Sequence, residues 1–274
     1  MSEPIGLIAG NGTFPFLVLR AARQAGHDVV VVAIEGEAWP DLEPLARQLG
    51  GTVFSWISLG QLGKCIRTLT DAGVKRAVMA GQVKHVKLFG GVFPDLTLVK
   101  VLTRLKAQNT DALIAAVADV LQDHGVTLMD STALLPELVA GAGVLSQARP
   151  TEAMEKDFEF GVRMADLVAG ADIGQTIVVK DRAVVAVEAM EGTDAIIARA
   201  GTLAGPGTRV VKVAKPTQDM RFDVPVVGVA TIDAMKAAGA DGLSIDAGKT
   251  LMLDGPAVVE AANQAGIVIV GRAR

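Results

Sequence analysis

Short unbroken apolar runs alternate with longer stretches of helical periodicity through the first half of the chain. IGLIAG reads as a strand beginning at Pro4, and Thr13 to Ala25 as a helix closed by Gly26. DVVVVAI (Asp28 to Ile34) is a second strand without polar alternation, and Gly51 to Ser55 a short third. Leu59 to Ala72 is a helix closed by Gly73, RAVMAG (Arg76 to Gly81) a fourth strand, and VTLMDS a last one. Two helices, Leu96 to Ala107 and Asp111 to His124, come before that last strand. Unalternating strands followed by helices imply a parallel sheet covered on both faces. Gly141 to Pro150 (GAGVLSQARP) has the composition of a linker. Beyond it the pattern changes. A helix from Glu152 to Ala169 leads into strands TIVVK, AVVAVEA, RVVKVAK and VPVVGVA. Helices follow at Asp194 to Leu203, Ile232 to Ala238 and Gly255 to Ala265, and GIVIVG is a final buried strand. Paired strands mixed with helices leave that second sheet free to be mixed. The fold class is α/β: residues 1–140 as a parallel-sheet domain, 141–150 as linker and 151–274 as a distinct mixed α/β domain.

The chain has 274 residues, 50% of them hydrophobic, enough for two packed cores. Its net charge of −4 gives no basic stripe for nucleic acid, and the absence of Tyr leaves little for base stacking. Cys65 is the single cysteine, which permits no internal disulfide and suits a reducing cytoplasm; its expected role is a small buried apolar side chain. The N-terminus runs into a strand without the basic start and apolar core of a signal peptide. No uninterrupted apolar run is long enough to span a bilayer.

Four segments carry candidate chemistry. In GLIAGNGTFP, Gly10 and Gly12 sit between a strand and a helix, where backbone can approach a phosphate or sugar. A dinucleotide fingerprint needs a third glycine where Pro15 stands, so the segment fits phosphate contact or a plain tight turn better than an NAD site. In MAGQVKHVKLFGGVFPD, Gln82, Lys84, His85 and Lys87 follow the fourth strand at the crevice position of open α/β sheets. The run then turns apolar around Gly90-Gly91, so it could grip an anionic lipid surface or simply form a solvated loop with apolar anchors. In DIGQTIVVKDRAVVAVEAMEGTDAII, Glu188 interrupts an apolar strand, where a carboxylate must be paired, hydrogen-bonded or metal-bound; Thr193 and Asp194 also suit a helix cap. Finally, Lys212, Lys215, Asp219, Arg221 and Asp223 crowd VKVAKPTQDMRFDVPVVG, a loop bent by Pro216 and Pro225. Carboxylates there could share a divalent cation while the cations offset phosphate charge; a salt-bridged surface hairpin is the plainer alternative. Histidines 27, 85 and 124 make no zinc spacing, and neither a nucleophile elbow nor a Walker loop is present. Water is therefore the expected nucleophile.

Taken together, GLIAGNGTFP, MAGQVK, DIGQTIVVKDRAVVAVEAMEGTD and KPTQDMRFDVPVVG resemble the LpxI-type UDP-2,3-diacylglucosamine pyrophosphatases of lipid A biosynthesis, over nearly the whole chain. One departure is Asn109-Thr110-Asp111-Ala112-Leu113, where the family more often has Gly-Asp-Asp-Ala-Leu. The resemblance implies a Rossmann-like N-terminal domain and a distinct catalytic C-terminal domain. It also implies a cytoplasmic hydrolase, peripheral on the inner-membrane face. The reaction would split UDP-2,3-diacylglucosamine into UMP and 2,3-diacylglucosamine 1-phosphate with Mg²⁺. Asp223, Lys215 and Arg221 are then the catalytic candidates, and Asp223, Asp219 and Glu188 the metal candidates. First-domain substrate candidates are Gly10, Asn11, Gly12, Thr13, Gln82, Lys84 and Asp111. Those of the second domain are Gln175, Thr193, Asp194, Lys212 and Gln218. A homodimer is a candidate assembly, and nucleic acid is not an expected partner. Two alternatives remain open: a non-catalytic lipid or nucleotide-sugar binder, and a Rossmann oxidoreductase using Glu35 as ribose ligand, against which Pro15 speaks.

Overall fold

The computed structural model describes residues 3–83, 93–105, 110–216 and 218–273. The chain divides into two compact units. The first comprises Met1–Leu135 together with Met220–Asp223, and the second Pro136–Asp219 together with Val224–Arg274.

In the first unit the described strands are β1 (Ile5–Ala9), β2 (Val29–Ile34), β3 (Thr52–Ile57), β4 (Arg76–Ala80) and β5 (Thr127–Leu128). They form a parallel sheet in the order β3-β2-β1-β4-β5. Every residue of β1 and β2 is buried, which is why neither strand alternates in sequence. Helices α1 (Phe14–Gln24), α2 (Leu42–Leu49), α3 (Leu62–Asp71), α4 (Leu96–Arg104) and α5 (Thr110–Asp123) complete the described part. Ile8, Val30 and Val32 pack with Leu69, Val101 and Leu121 in one continuous core. The sheet therefore bears out the Rossmann-like expectation. Helix α2 has no counterpart in the sequence reading. Pro44 lies in the first turn, where a missing N–H costs no intrahelical bond.

The second unit is built on a mixed sheet. Its strands are β6 (Gly143–Val144), β7 (Thr176–Lys180), β8 (Ala183–Val187), β9 (Thr208–Lys212), β10 (Val226–Val227), β11 (Ala240–Asp246), β12 (Leu251–Met252) and β13 (Val268–Arg272). Six of them run in the order β6-β13-β11-β9-β7-β8, while β10 and β12 make a separate parallel pair. The centre is parallel (β9, β11, β13), and β6, β7 and β8 pair antiparallel. Helix α6 (Glu152–Gly170) covers one face, meeting Ile177, Val179 and Val211 through Met154, Phe158 and Ala165. Helices α7 (Thr193–Ala204), α8 (Val229–Ala238) and α9 (Pro256–Ala265) cover the other, over Val178, Val210 and Leu243. Adjacent residues of one strand thus feed opposite cores. Three details differ from expectation. The segment read as a linker supplies β6, which pairs with β13. VPVVGVA is a two-residue strand followed by α8, since Gly228 ends the pairing and precedes the helix. ADGLSID, not read as a strand, is the buried strand β11, whose polar positions Ser244 and Asp246 are buried against Arg272.

Candidate functional site

The order of the first sheet reverses between β1 and β4, the position at which open α/β sheets gather ligands. The loops leaving these two strands are zipped together there. Asn11 N–H donates to the Gln82 carbonyl at 2.8 Å, and Gln82 N–H returns a bond to the Asn11 carbonyl at 3.0 Å. Asn11 Nδ2 reaches the Glu37 carbonyl at 3.2 Å. The approach requires glycine: a Cβ on Gly10 would meet the Gln82 carbonyl oxygen at 2.7 Å, and one on Gly81 the Asn11 carbonyl oxygen at 2.5 Å. Thr13 caps α1 without a side-chain hydrogen bond of its own to the helix, and Pro15 occupies the first turn. Gly10, Asn11, Gly12, Thr13 and Gln82 are thereby brought to one end of β1 and β4. Lys84 lies outside the described residues, and Asp111 falls on α5. Glu35 accepts a 2.6 Å bond from Ser58 Oγ.

In the second unit four predicted residues form one polar network at the ends of β7 and β9. Glu188, buried, accepts from Thr193 Oγ1 at 2.7 Å and from the Gln175 backbone N–H at 3.2 Å. Lys212 Nζ, also buried, donates to Thr193 Oγ1 at 2.8 Å and lies 3.4 Å from Thr176 Oγ1. Thr193 therefore relays between a carboxylate and an ammonium, each taken out of water only because it is hydrogen-bonded. Thr193 is the first residue of α7, with Gly192 as the cap, so its hydroxyl serves this network rather than its own helix end. Asp194 is exposed in that first turn. Nearby Glu191 is held below the usual carboxylate range, chiefly by its own backbone N–H, with Ala189 N–H and Arg199 adding to the effect.

The segment after β9 is braced from several sides. Asp246, fully buried, accepts from Ala214 N–H at 2.7 Å and pairs with Arg272, whose guanidinium also reaches Ser244 Oγ and the Lys212 carbonyl. Lys215 Nζ pairs with Asp172 at 2.8 Å, and Gln218 Oε1 accepts from the Lys215 backbone N–H at 2.7 Å. Sequence reasoning missed Asp246 and Arg272, whose only signal was two charges at the ends of apolar strands.

Met220–Asp223 packs in the first unit. Ser131 N–H donates to the Met220 carbonyl at 2.8 Å, and Ser131 Oγ shares its proton between the Met79 carbonyl at 2.8 Å and the Arg221 carbonyl at 2.7 Å. The Arg221 guanidinium stands 5.7 Å over the Phe222 ring. Asp219 and Asp223 are both half-buried. Among the described residues no group of three His, Cys, Asp or Glu is arranged to hold a metal ion. The carboxylate chemistry nevertheless fits Mg²⁺, which commonly uses one or two carboxylates together with substrate phosphate oxygens rather than a full protein cage. A separate cavity of about 800 Å³ in the second unit, lined by Val139, Met252, Pro256, Val259 and Asn263 among others, includes none of the predicted site residues.

Comparison with known proteins agrees with this arrangement of segments. The chain is 32% identical, over 97% of its length and 96% of the relative's, to the UDP-2,3-diacylglucosamine pyrophosphatase LpxI of Caulobacter vibrioides. Among solved structures, a UDP-glucose-4-epimerase from Stenotrophomonas maltophila overlaps with a TM-score of 0.32 and 16% identity, over 46% of this chain and 35% of that one. A leucoanthocyanidin reductase from Vitis vinifera overlaps at 0.29 and 16%, over 54% and 40% respectively. At such scores these two likenesses carry no argument. The LpxI N-terminal domain profile matches residues 4–138 and the LpxI C-terminal domain profile residues 141–270. With both domains matched in order and a relative similar along almost all of its length, the chain belongs to the LpxI family.

Proposed function

We propose that this protein hydrolyses the pyrophosphate bond of UDP-2,3-diacylglucosamine in lipid A biosynthesis, giving UMP and 2,3-diacylglucosamine 1-phosphate, with Mg²⁺. The observation that carries the reading is end-to-end similarity to a relative of that name. The side chains suit the chemistry. A pyrophosphate diester is shielded from nucleophiles by its own negative charge. Lys212, fixed by Thr193, together with Lys215 and Arg221, offers cations to offset that charge. Asp223 is the carboxylate proposed to orient and deprotonate water. Mg²⁺, when bound, adds neutralisation of the phosphate oxygens. Asp219 and Asp223 are the candidates to hold it; Glu188 has only the lone pairs left by its two hydrogen bonds. The Gly10–Gly12 turn and the start of α1 suit phosphate or sugar contact.

The test is release of UMP and the diacylglucosamine phosphate from purified substrate, followed by mass spectrometry with and without Mg²⁺. Both products are expected, and EDTA should abolish them until Mg²⁺ is restored. Asp223→Ala should lose at least about a hundredfold in turnover, the scale of removing a general base, with an unchanged melting curve and retained substrate binding. Full activity in that variant would remove Asp223 from the chemistry. Tight lipid binding by the wild type without UMP release would favour the carrier alternative.

A further inference from the structure

Among the described residues, Asp172, Asp181 and Arg182 are the non-glycines that adopt positive φ. The last two share the β7–β8 turn, where Asp157 accepts from both of their N–H groups. Asp172 stands apart, at φ 56°, one residue beyond the Ala171 cap of α6. That place in a helix end favours glycine, which has no Cβ to strain. Glycine fills it elsewhere in this chain: Ala25-Gly26 closes α1 and Ala72-Gly73 closes α3, while Gly239 and Gly266 close α8 and α9. Aspartate tolerates the conformation better than most residues but less well than glycine. Its presence calls for a reason in its side chain.

That side chain reaches Lys215. Asp172 Oδ1 and Lys215 Nζ are 2.8 Å apart, with the lysine side chain largely buried and the carboxylate half exposed. Both ends of the pair are fixed. Asp172 N–H donates to the Ala169 carbonyl at 3.1 Å and Ile173 N–H to the Val168 carbonyl at 3.2 Å, so the backbone carrying the carboxylate is tied to the last turn of α6. Two residues on, a Cβ on Gly174 would run into the Glu188 carbonyl oxygen, which seats the segment closely against that residue. On the other side, Gln218 holds the main chain of the lysine. Its N–H donates to the Lys215 carbonyl at 3.0 Å, and its Oε1 accepts from Lys215 N–H at 2.7 Å. Lysine is a point charge on a flexible stem. With its main chain set by Gln218 and its ammonium tied to Asp172, that stem loses most of its freedom.

We infer that Asp172 is a positioning residue, which holds the Lys215 ammonium in place for a substrate phosphate. The inference rests on Lys215 as a phosphate contact in the proposed hydrolysis. A cation fixed in advance stabilises charge as it develops, without first having to be ordered. The carboxylate also repels an anionic ligand, so its benefit falls on the rate and not on binding. The helix end thus carries a less favourable residue, and the lysine gains a fixed partner.

The test combines steady-state kinetics of UMP release with thermal melts of the full-length protein. Asp172→Asn keeps the shape and the tolerance of positive φ and removes the charge. Its kcat should fall about tenfold, less than the roughly hundredfold cost of a badly misplaced group, while KM stays level or falls. Asp172→Gly should show the same loss and melt no lower than the wild type, because glycine suits the backbone. In a Lys215→Ala background, Asp172→Asn should cost nothing further. An unchanged kcat in Asp172→Asn, a raised KM with kcat intact, or the same loss recurring without Lys215 overturns the inference. So does an Asp172→Gly variant that melts lower, which would make Asp172 a support of the fold. Acylation of amines by acetic anhydride, followed by peptide mass spectrometry, reads the pair without turnover. Relative to exposed Lys75, Lys215 should label about two- to fivefold faster in Asp172→Asn than in the wild type, the range of a partly exposed ion pair. That faster labelling in a protein whose wild type releases no UMP sinks the hydrolase reading alone. UMP release by the wild type, with equal labelling and equal kcat in Asp172→Asn, sinks the positioning role alone.

Discussion

Thr193 is where the charges of the second unit are reconciled. Its single hydroxyl donates to Glu188 and accepts from Lys212, so both ionised groups depend on one oxygen. Thr193→Val keeps the shape and removes the oxygen. It should lower stability by about 1–3 kcal/mol, the scale of a buried polar group left without its partner, and reduce turnover, while Thr193→Ser restores both; chemical denaturation and an activity assay check this. Asp241 tests the opposite kind of group. Burial raises its pKa above the ordinary Asp value, and Arg209 only partly offsets this. The folded protein thus holds this proton more tightly than the unfolded chain. Stability from this group is greatest at low pH and is lost as pH rises from the ordinary Asp value through the raised one. Asp241→Asn should flatten that part of the pH dependence and raise the melting temperature at neutral pH, as read by thermal melts across the acid range. At this scale the sequence was informative about Glu188, because a carboxylate in an apolar strand demands partners. It could not name Thr193 and Gln175 as those partners, since strand pairing and the start of α7 bring them together.

The β7–β8 hairpin shows how an element depends on a distant side chain. Its turn residues Asp181 and Arg182 both adopt positive φ, at 50° and 60°, without a glycine. Asp157 on α6 holds that turn, accepting from the Asp181 N–H at 3.2 Å and the Arg182 N–H at 2.7 Å, and pairing with Arg209 at 3.2 Å. Asp157→Ala removes the clamp and one of the two carboxylates beside Arg209, which keeps Asp241 at 3.1 Å. A loss of about 1–3 kcal/mol is expected, the scale of polar groups left without their acceptor, measurable by denaturant titration; a variant with wild-type stability would refute the clamp. Periodicity revealed most long elements here, because buried strands such as β2 and β7 are continuous apolar runs. It failed on β11, where Asp241, Gly242, Ser244 and Asp246 look like a loop until Arg272 is seen to satisfy Ser244 and Asp246. Asp246 in turn holds Ala214, so the loop bearing Lys215 takes its position from a strand the pattern did not reveal.

For the whole molecule, the two-part α/β organisation was legible because each half has its own grammar of strands and helices. The membership of Met220–Asp223 in the first unit was not, since its partner Ser131 is an unremarkable serine just after a strand. Ser131→Ala should cost about 1–3 kcal/mol by leaving backbone carbonyls of Met79 and Arg221 without their donor, and calorimetry would register it. The same membership has a consequence during synthesis. The first unit waits for four residues that follow Leu135 only after the chain has built Pro136–Asp219. At about 5–20 residues per second that interval is on the order of several seconds. On the ribosome, the Rossmann-like half is thus the earlier to begin folding and yet cannot finish until most of the later half has been made.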